Sequence, residues 1–190
     1  MKPDTTSDLS IENLHSHYVN VGNGKGIASY HTDPAATFQD HKSGNFQVTK
    51  MTVQDVQSIN VYRSAEGNKT ELVSILKKMI DNSQDQAILI SGDFNICNMS
   101  EPNNPVTKAL KGLGFELLVD VATHIKGGHI DHLYWRGDPA GVWMKPTLEN
   151  NLIERYSPYY TDHDAWLVTL QKLVRLKSFD CSIDKDLIKP

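Results

Sequence analysis

Apolar and polar positions along the chain mark short strands, two helices and long polar connections. Ala87-Ile-Leu-Ile-Ser-Gly-Asp-Phe-Asn95 opens with an unbroken apolar run, the pattern of a strand covered on both faces. Gly92 then frees the backbone, and Asp93 and Asn95 follow two apart, so an extended chain points both to one side. Upstream, His17–Asn20 and Ile27–His31 read as strands joined by a hairpin loop, Gly22-Asn-Gly-Lys-Gly26. That loop lacks the second half of a phosphate-binding glycine motif, and no helix follows it. Residues 32–45 read as loop. Asn45–Met51 and Val56–Tyr62 pattern as paired strands, the second running on into Arg63. Leu72, Ile75, Leu76, Met79 and Ile80 fall on one helical face and predict a helix over about 69–82. Asn68 stands at its N-cap position, with Glu71 three residues on. A shorter helix over about 106–113 ends at Gly112 and Gly114. Phe115–Val121 is a further apolar stretch. Ile130–Tyr134, Val142–Pro146 and Trp166–Leu170 complete the strands.

Many strands, few helices and polar strand ends predict an α/β fold, a two-layer β-sandwich flanked by helices. Residues 1–13 read as a polar lead-in, 14–171 as one domain and 172–190 as a peripheral tail. At 190 residues and 39% hydrophobic, the chain supports one sizeable core. A formal net charge of −4 gives no global attraction to nucleic acid, so such binding needs a local surface. Cys97 and Cys181 lie far apart without CxxC spacing, which argues for a reducing compartment. With no signal-like segment and no apolar run of membrane-spanning length, an intracellular protein, nuclear or cytoplasmic and without a membrane partner, is expected.

Polar clusters stand at predicted strand ends: Tyr62-Arg63, Asp93/Asn95, Asp131 and Asp162-His163. Strand ends on one sheet edge converge even when far apart in sequence. Carboxylates can hold a hard divalent cation. A histidine oriented by a carboxylate can take a proton near neutral pH, and an amide positions a nucleophile or phosphate without adding charge. Arg63 is either a phosphate contact or half of a surface ion pair. His124, His129, His132 and Cys97 invite a zinc reading, but their spacing is not that of a compact zinc site. His124 and His129 read instead as polar loop residues, and His132 as facing away from Asp131. Trp135, Trp143 and Trp166 occupy apolar strand positions and read as core.

Ser91-Gly-Asp-Phe-Asn95, Ile130-Asp-His-Leu-Tyr134 and Thr161-Asp-His-Asp-Ala165, in that order, resemble the endonuclease/exonuclease/phosphatase superfamily, the deoxyribonuclease I-like fold. Thr123-His-Ile-Lys-Gly-Gly-His-Ile-Asp-His132 is most similar to endonuclease domains of non-LTR retrotransposons and related mobile elements. The resemblance runs from about residue 25 to 170. It implies a Mg2+-dependent phosphodiesterase, with Mn2+ as a possible substitute, and nucleic acid, DNA by family flavour, as partner. It places Asp93 at the metal and nucleophile and Asn95 at the phosphate or attacking water. Asp131 pairs with the general base or phosphate contact His163, Asp162 completes the metal cluster, and Tyr62 touches the phosphate. The superfamily also carries an upstream strand pair with an Asn and the main metal-binding Glu. Glu12 is the acid nearest that place, but Ser10-Ile-Glu-Asn-Leu14 does not resemble the apolar strand before that Glu. The expectation is an N-terminally shortened member lacking the first strands, hence either an impaired nuclease or an inactive remnant that binds nucleic acid or a protein.

Overall fold

The computed structural model describes residues 13–20, 26–80, 86–158 and 161–173. Its strands are β1 (His15–Asn20), β2 (Gly26–His31), β3 (Thr37–Lys42), β4 (Phe46–Val53), β5 (Val56–Arg63), β6 (Ala87–Asp93), β7 (Glu116–Leu117), β8 (Asp131–Arg136), β9 (Ile153–Tyr156) and β10 (Ala165–Val168). Helices α1 (Lys69–Ile80) and α2 (Pro105–Gly112) complete it. A six-stranded sheet runs β3-β4-β5-β6-β8-β7, and β1-β2 and β9-β10 form separate two-stranded pieces. All pairings are antiparallel except β5 with β6. That parallel pair needs a crossover, and α1 supplies it.

The period of two along each strand divides the core. Ile59, Val61, Ile88, Ile90 and Tyr134 face the helices and pack with Leu72, Ile75, Leu76, Met79, Val106 and Leu110. Leu89, Leu133 and Trp135 face the other way and pack with Ile153, with Trp166 and Val168 of β10 against them. On that second face β2 also lies over β5, where Asn60 donates to the Ser29 hydroxyl at 3.5 Å, and His17 of β1 stacks on Phe38 with centroids 4.0 Å apart. The two hairpins thus make the second layer of the sandwich. The three tryptophans contribute to core as expected, Trp135 within it and Trp143 and Trp166 partly buried against it.

Both helices begin where expected. Asn68 Oδ1 accepts the backbone N–H of Thr70 and of Glu71, satisfying donors that the first turn leaves free. Asn104 does the same for Thr107 N–H, with Pro105 opening α2. Two expectations are corrected and one strand is added. Residues 37–42, expected as loop, form edge strand β3; its burial pattern is mostly exposed, so no apolar alternation announced it. Val142–Pro146 is not a strand: the Asp138 carboxylate takes the N–H groups of Val142 and Trp143 and turns the chain, leaving one bridge from Trp143 to Lys172. Ile153–Tyr156, unassigned from the sequence, is β9. The Gly22–Gly26 loop, except for the Gly26 backbone in β2, the lead-in before residue 13 including Glu12, and the tail beyond residue 173 lie outside the described residues. Among the described residues, no helix is long and apolar enough to cross a membrane.

Candidate active site

Register alone builds one row across the sheet. Lys42 pairs with Gln47, Gln47 with Tyr62, Tyr62 with Asp93, and Asp93 with Asp131. Directly opposed residues point to the same side, so all five stand on the second face. The next rows inward carry Thr49, Asn60, Ser91 and Leu133, then Met51, Ser58, Leu89 and Trp135. The face therefore grades from apolar in its middle to polar and acidic at the strand ends.

β6 ends in a turn that only this local sequence permits. Gly92 has φ +133°, and a Cβ there would lie 2.0 Å from the Val61 carbonyl oxygen, a contact no side chain tolerates. Asn95 has φ +47°, a region Asn accepts more readily than most residues. The Asp93 carboxylate accepts the Asn95 backbone N–H at 2.8 Å and its side-chain amide at 3.0 Å. The same Nδ2 donates to the Arg63 carbonyl at 2.7 Å. Both amide protons of Asn95 are thereby engaged, and the group it has left to offer is an acceptor, Oδ1. Burial raises Asp93 above the ordinary carboxylate range; the Asn95 N–H opposes this and the Asp131 charge adds to it.

Arg63 plays neither of its expected parts. It is 3% exposed, one residue past Tyr62 and hence on the opposite face. Its guanidinium donates to the carbonyls of Gly67, Phe94, Asn95 and Ala65 at 2.9–3.1 Å. It braces the Asp93–Asn95 turn from beneath, with its donors turned onto backbone carbonyls.

Asp131 and His163 come together although 32 residues separate them. His163 Nδ1 lies 2.9 Å from Asp131 Oδ2 and 3.1 Å from Oδ1. Burial alone would lower His163, but the hydrogen bond and charge of Asp131, with Asp93 and Asp162 adding, raise it above the usual imidazole value. Thr123, to which no role was assigned from the sequence, is fully buried and completes this pair. Its hydroxyl donates to Asp131 Oδ2 at 2.8 Å and accepts the Asp131 N–H at 3.0 Å. Thr123 stands eight residues before Asp131, across a turn closed by Thr123 N–H on the Gly128 carbonyl, and no spacing rule marks such a partner.

The segment 123–125 is bound antiparallel to 162–164. Ile125 N–H donates to the Asp162 carbonyl and Asp164 N–H to the Thr123 carbonyl, around a His124–His163 bridge. This brings Asp162 Oδ2 to 3.2 Å from His124 Nε2 and Oδ1 to 3.8 Å from His163 Nε2. Asp162 remains 59% exposed in its side chain. Its own backbone amide first, and then the two imidazoles, hold it below the ordinary carboxylate value. Asp164 differs: Arg155 and Ser157 engage both its oxygens, and it belongs to the scaffold.

The zinc set does not assemble. Among the described residues, the ligand atoms within 4.8 Å of one another are those of His124, Asp162 and His163. Asp93 is not in that group. His129, expected as a polar loop residue, is fully buried, with Nδ1 3.2 Å from Asp120. His132 faces away from Asp131 as predicted, its Nε2 donating to the Ile96 carbonyl at 2.9 Å.

The class of fold is clear: this chain has the deoxyribonuclease I-like fold shared by endonuclease/exonuclease/phosphatase proteins. It superposes on the endonuclease domain of TRAS1, a telomere-specific non-LTR retrotransposon, with a TM-score of 0.57 and 11% identity over 82% of this chain and 77% of that one. CdtB, the biologically active subunit of cytolethal distending toxin, gives 0.56 and 16% over 80% of this chain and 64% of the toxin subunit. An endonuclease/exonuclease/phosphatase family protein from Leptotrichia buccalis gives 0.52 and 14%, over 83% and 71%. No protein-family model matches the sequence, and no curated protein sequence matches it significantly.

Proposed function

We propose that this chain is a divalent-metal-dependent phosphodiesterase, a DNA endonuclease domain of mobile-element type. The observation that supports this reading best is the Asp131–His163 pair, standing across from Asp93 and Asn95 with Asp162 beside it. Fold likeness adds the superfamily-level expectation of a nuclease, since the TRAS1 endonuclease domain shares this fold.

In this reading Asp131 accepts the Nδ1 proton of His163 and leaves Nε2 to take a proton or, once charged, to contact a phosphate oxygen. Asn95, with both amide protons engaged, presents Oδ1 to a water proton, which favours orienting the attacking water over holding the phosphate. Tyr62, in register beside Asp93 on the same face, presents a phenol toward the phosphate. The residues fit a hard cation: Asp93 and Asp162 offer oxygen ligands, and the burial and neighbouring Asp131 charge that raise Asp93 are offset by a positive charge. Mg2+, or Mn2+ in its place, would be held by Asp93 and Asp162 and would neutralise charge developing on the phosphoryl oxygens.

The test is nicking of supercoiled plasmid by the full chain with Mg2+ and with chelator, alongside Asp93→Ala and His163→Ala. Magnesium-dependent nicking that both substitutions abolish is the expected result. No nicking by a demonstrably folded chain would favour instead a remnant that binds nucleic acid or a protein partner without cutting.

A further inference from the structure

One side chain is built into this site without a role in the reading above. His124 is only 14% exposed in its side chain and stands edge-to-face with His163, centroids 4.9 Å apart and planes at 89°. Its Nδ1 accepts the backbone N–H of Lys126 at 3.1 Å. A backbone amide can only donate, so Nδ1 carries the lone pair, and in the neutral ring the proton then sits on Nε2. That Nε2 lies 3.2 Å from Asp162 Oδ2, within ion-pair range of the carboxylate. The turn that imposes this is closed on itself: Gly127 N–H donates to the His124 carbonyl at 2.8 Å and His124 N–H to the Gly128 carbonyl at 3.0 Å. Gly127 takes φ +82° there, a conformation suited to glycine.

By distance alone, His124, Asp162 and His163 could form a His–Asp–His metal centre, since their ligand atoms lie within 4.8 Å of one another. The hydrogen bonding says otherwise for His124. Ligation through Nε2 needs a lone pair there and a proton on Nδ1, where the Lys126 N–H already stands. We infer that His124 is a positioning residue: its Nε2–H holds Asp162 by Oδ2 and leaves Oδ1 for the cation, so that the ion is met by oxygen and not by the His124 imidazole. Supporting shells of this kind orient metal-binding groups. The inference rests on the phosphodiesterase reading for Asp162 as a ligand, while the tautomer itself does not.

Two measurements on the full chain test it. Long-range 1H–15N spectra of the imidazole rings, with His124→Gln used to assign the signals, report the tautomer without turnover. The expected result is a protonated Nε2 and a bare Nδ1 on His124, unchanged by Mg2+. A proton on Nδ1, or transfer of the proton from Nε2 to Nδ1 on adding one equivalent of Zn2+, would overturn the assignment. Mn2+ titration followed by electron paramagnetic resonance tests the consequence: His124→Ala raises the Mn2+ Kd roughly 10- to 100-fold, and His124→Gln, whose amide can donate to the same carboxylate, recovers most of that loss. An alanine variant that binds Mn2+ like the parent sinks the positioning role. A chain that shows the tautomer and the His124-dependent Mn2+ binding yet cuts no phosphodiester would refute the proposed activity and leave His124 as assigned.

Discussion

Asp131 and His132 are neighbours in sequence and inhabit opposite environments. On the hairpin side of β8, Asp131 meets Thr123 and His163 in a half-open acidic cluster. On the helix side, His132 is 2% exposed, stacked on Phe94 with centroids 4.7 Å apart, and bonded to the Ile96 carbonyl and the Tyr134 hydroxyl. That hydroxyl continues through Thr107 to Asn98 and Asn104. Burial drives His132 down to about 4 and Tyr134 up to about 12, so both stay neutral at physiological pH. His163, by contrast, is raised, because Asp131 and its neighbours outweigh its burial. Perturbed groups therefore occur on both faces, sealed in the interior around His132 and partly open around Asp131 and His163. Burial with satisfied hydrogen bonds marks a supporting network, whereas acids left facing solvent beside an oriented imidazole mark chemistry.

The sharpest way to break this comparison is to exchange the two histidines' consequences. His163→Ala is expected to lower nicking by 10²- to 10⁴-fold, up to about 5 kcal/mol in barrier height, with the denaturation midpoint unchanged. A matching loss of stability would mean that His163 belongs to the scaffold. His132→Ala should do the reverse: a loss of roughly 3 kcal/mol in urea unfolding, since it empties a buried stacked site and strips partners from the Ile96 carbonyl and Tyr134. The fraction that stays folded should still cut.

The pH dependence of stability sharpens it further. His132 sits near 4 in the folded chain against an ordinary 6.5, so as pH falls below that ordinary value the unfolded chain takes up the proton first. Its contribution is complete above about 6.5 and is lost as pH falls through about 4, on the order of 3 kcal/mol in all. Urea midpoints measured across that window should decline in the parent and decline less in His132→Asn. Equal slopes would show that His132 is not held neutral. The smallest expected effect is Thr107→Val, which removes one hydroxyl from the buried network and should cost about 1 kcal/mol of stability with nicking untouched. Lost nicking there would show that the two faces communicate.

Much of this was written in local pattern. The uninterrupted apolar run of β6, the helical spacing from Leu72 to Ile80 and the caps at Asn68 and Gly114 are short-range signals, and each element formed where its pattern lay. Edge strand β3 and short β9 were not legible, because their pairing depends on partners met only in the fold and their exposed faces carry no alternation. The strand-end residues Asp93, Asp131, Asp162 and His163 stood out as residue types able to do chemistry, and the fold brings them near one another. Arg63 was misplaced: from Val61-Tyr-Arg-Ser64 alone, a guanidinium beside a tyrosine looks exposed, and only the strand's alternation, fixed by register against β4 and β6, turns it inward onto backbone carbonyls.

By itself, then, the sequence determined which segments are strands or helices wherever periodicity and capping act over a few residues, and which side chains could do chemistry. The tertiary structure decided which of them meet. The row from Lys42 to Asp131, the Thr123 hydroxyl on Asp131 and the approach of His124 to Asp162 are set by cross-strand register and by contacts that span up to 38 residues. Contacts of that range are settled by how the layers pack, and no short window of sequence carries that information.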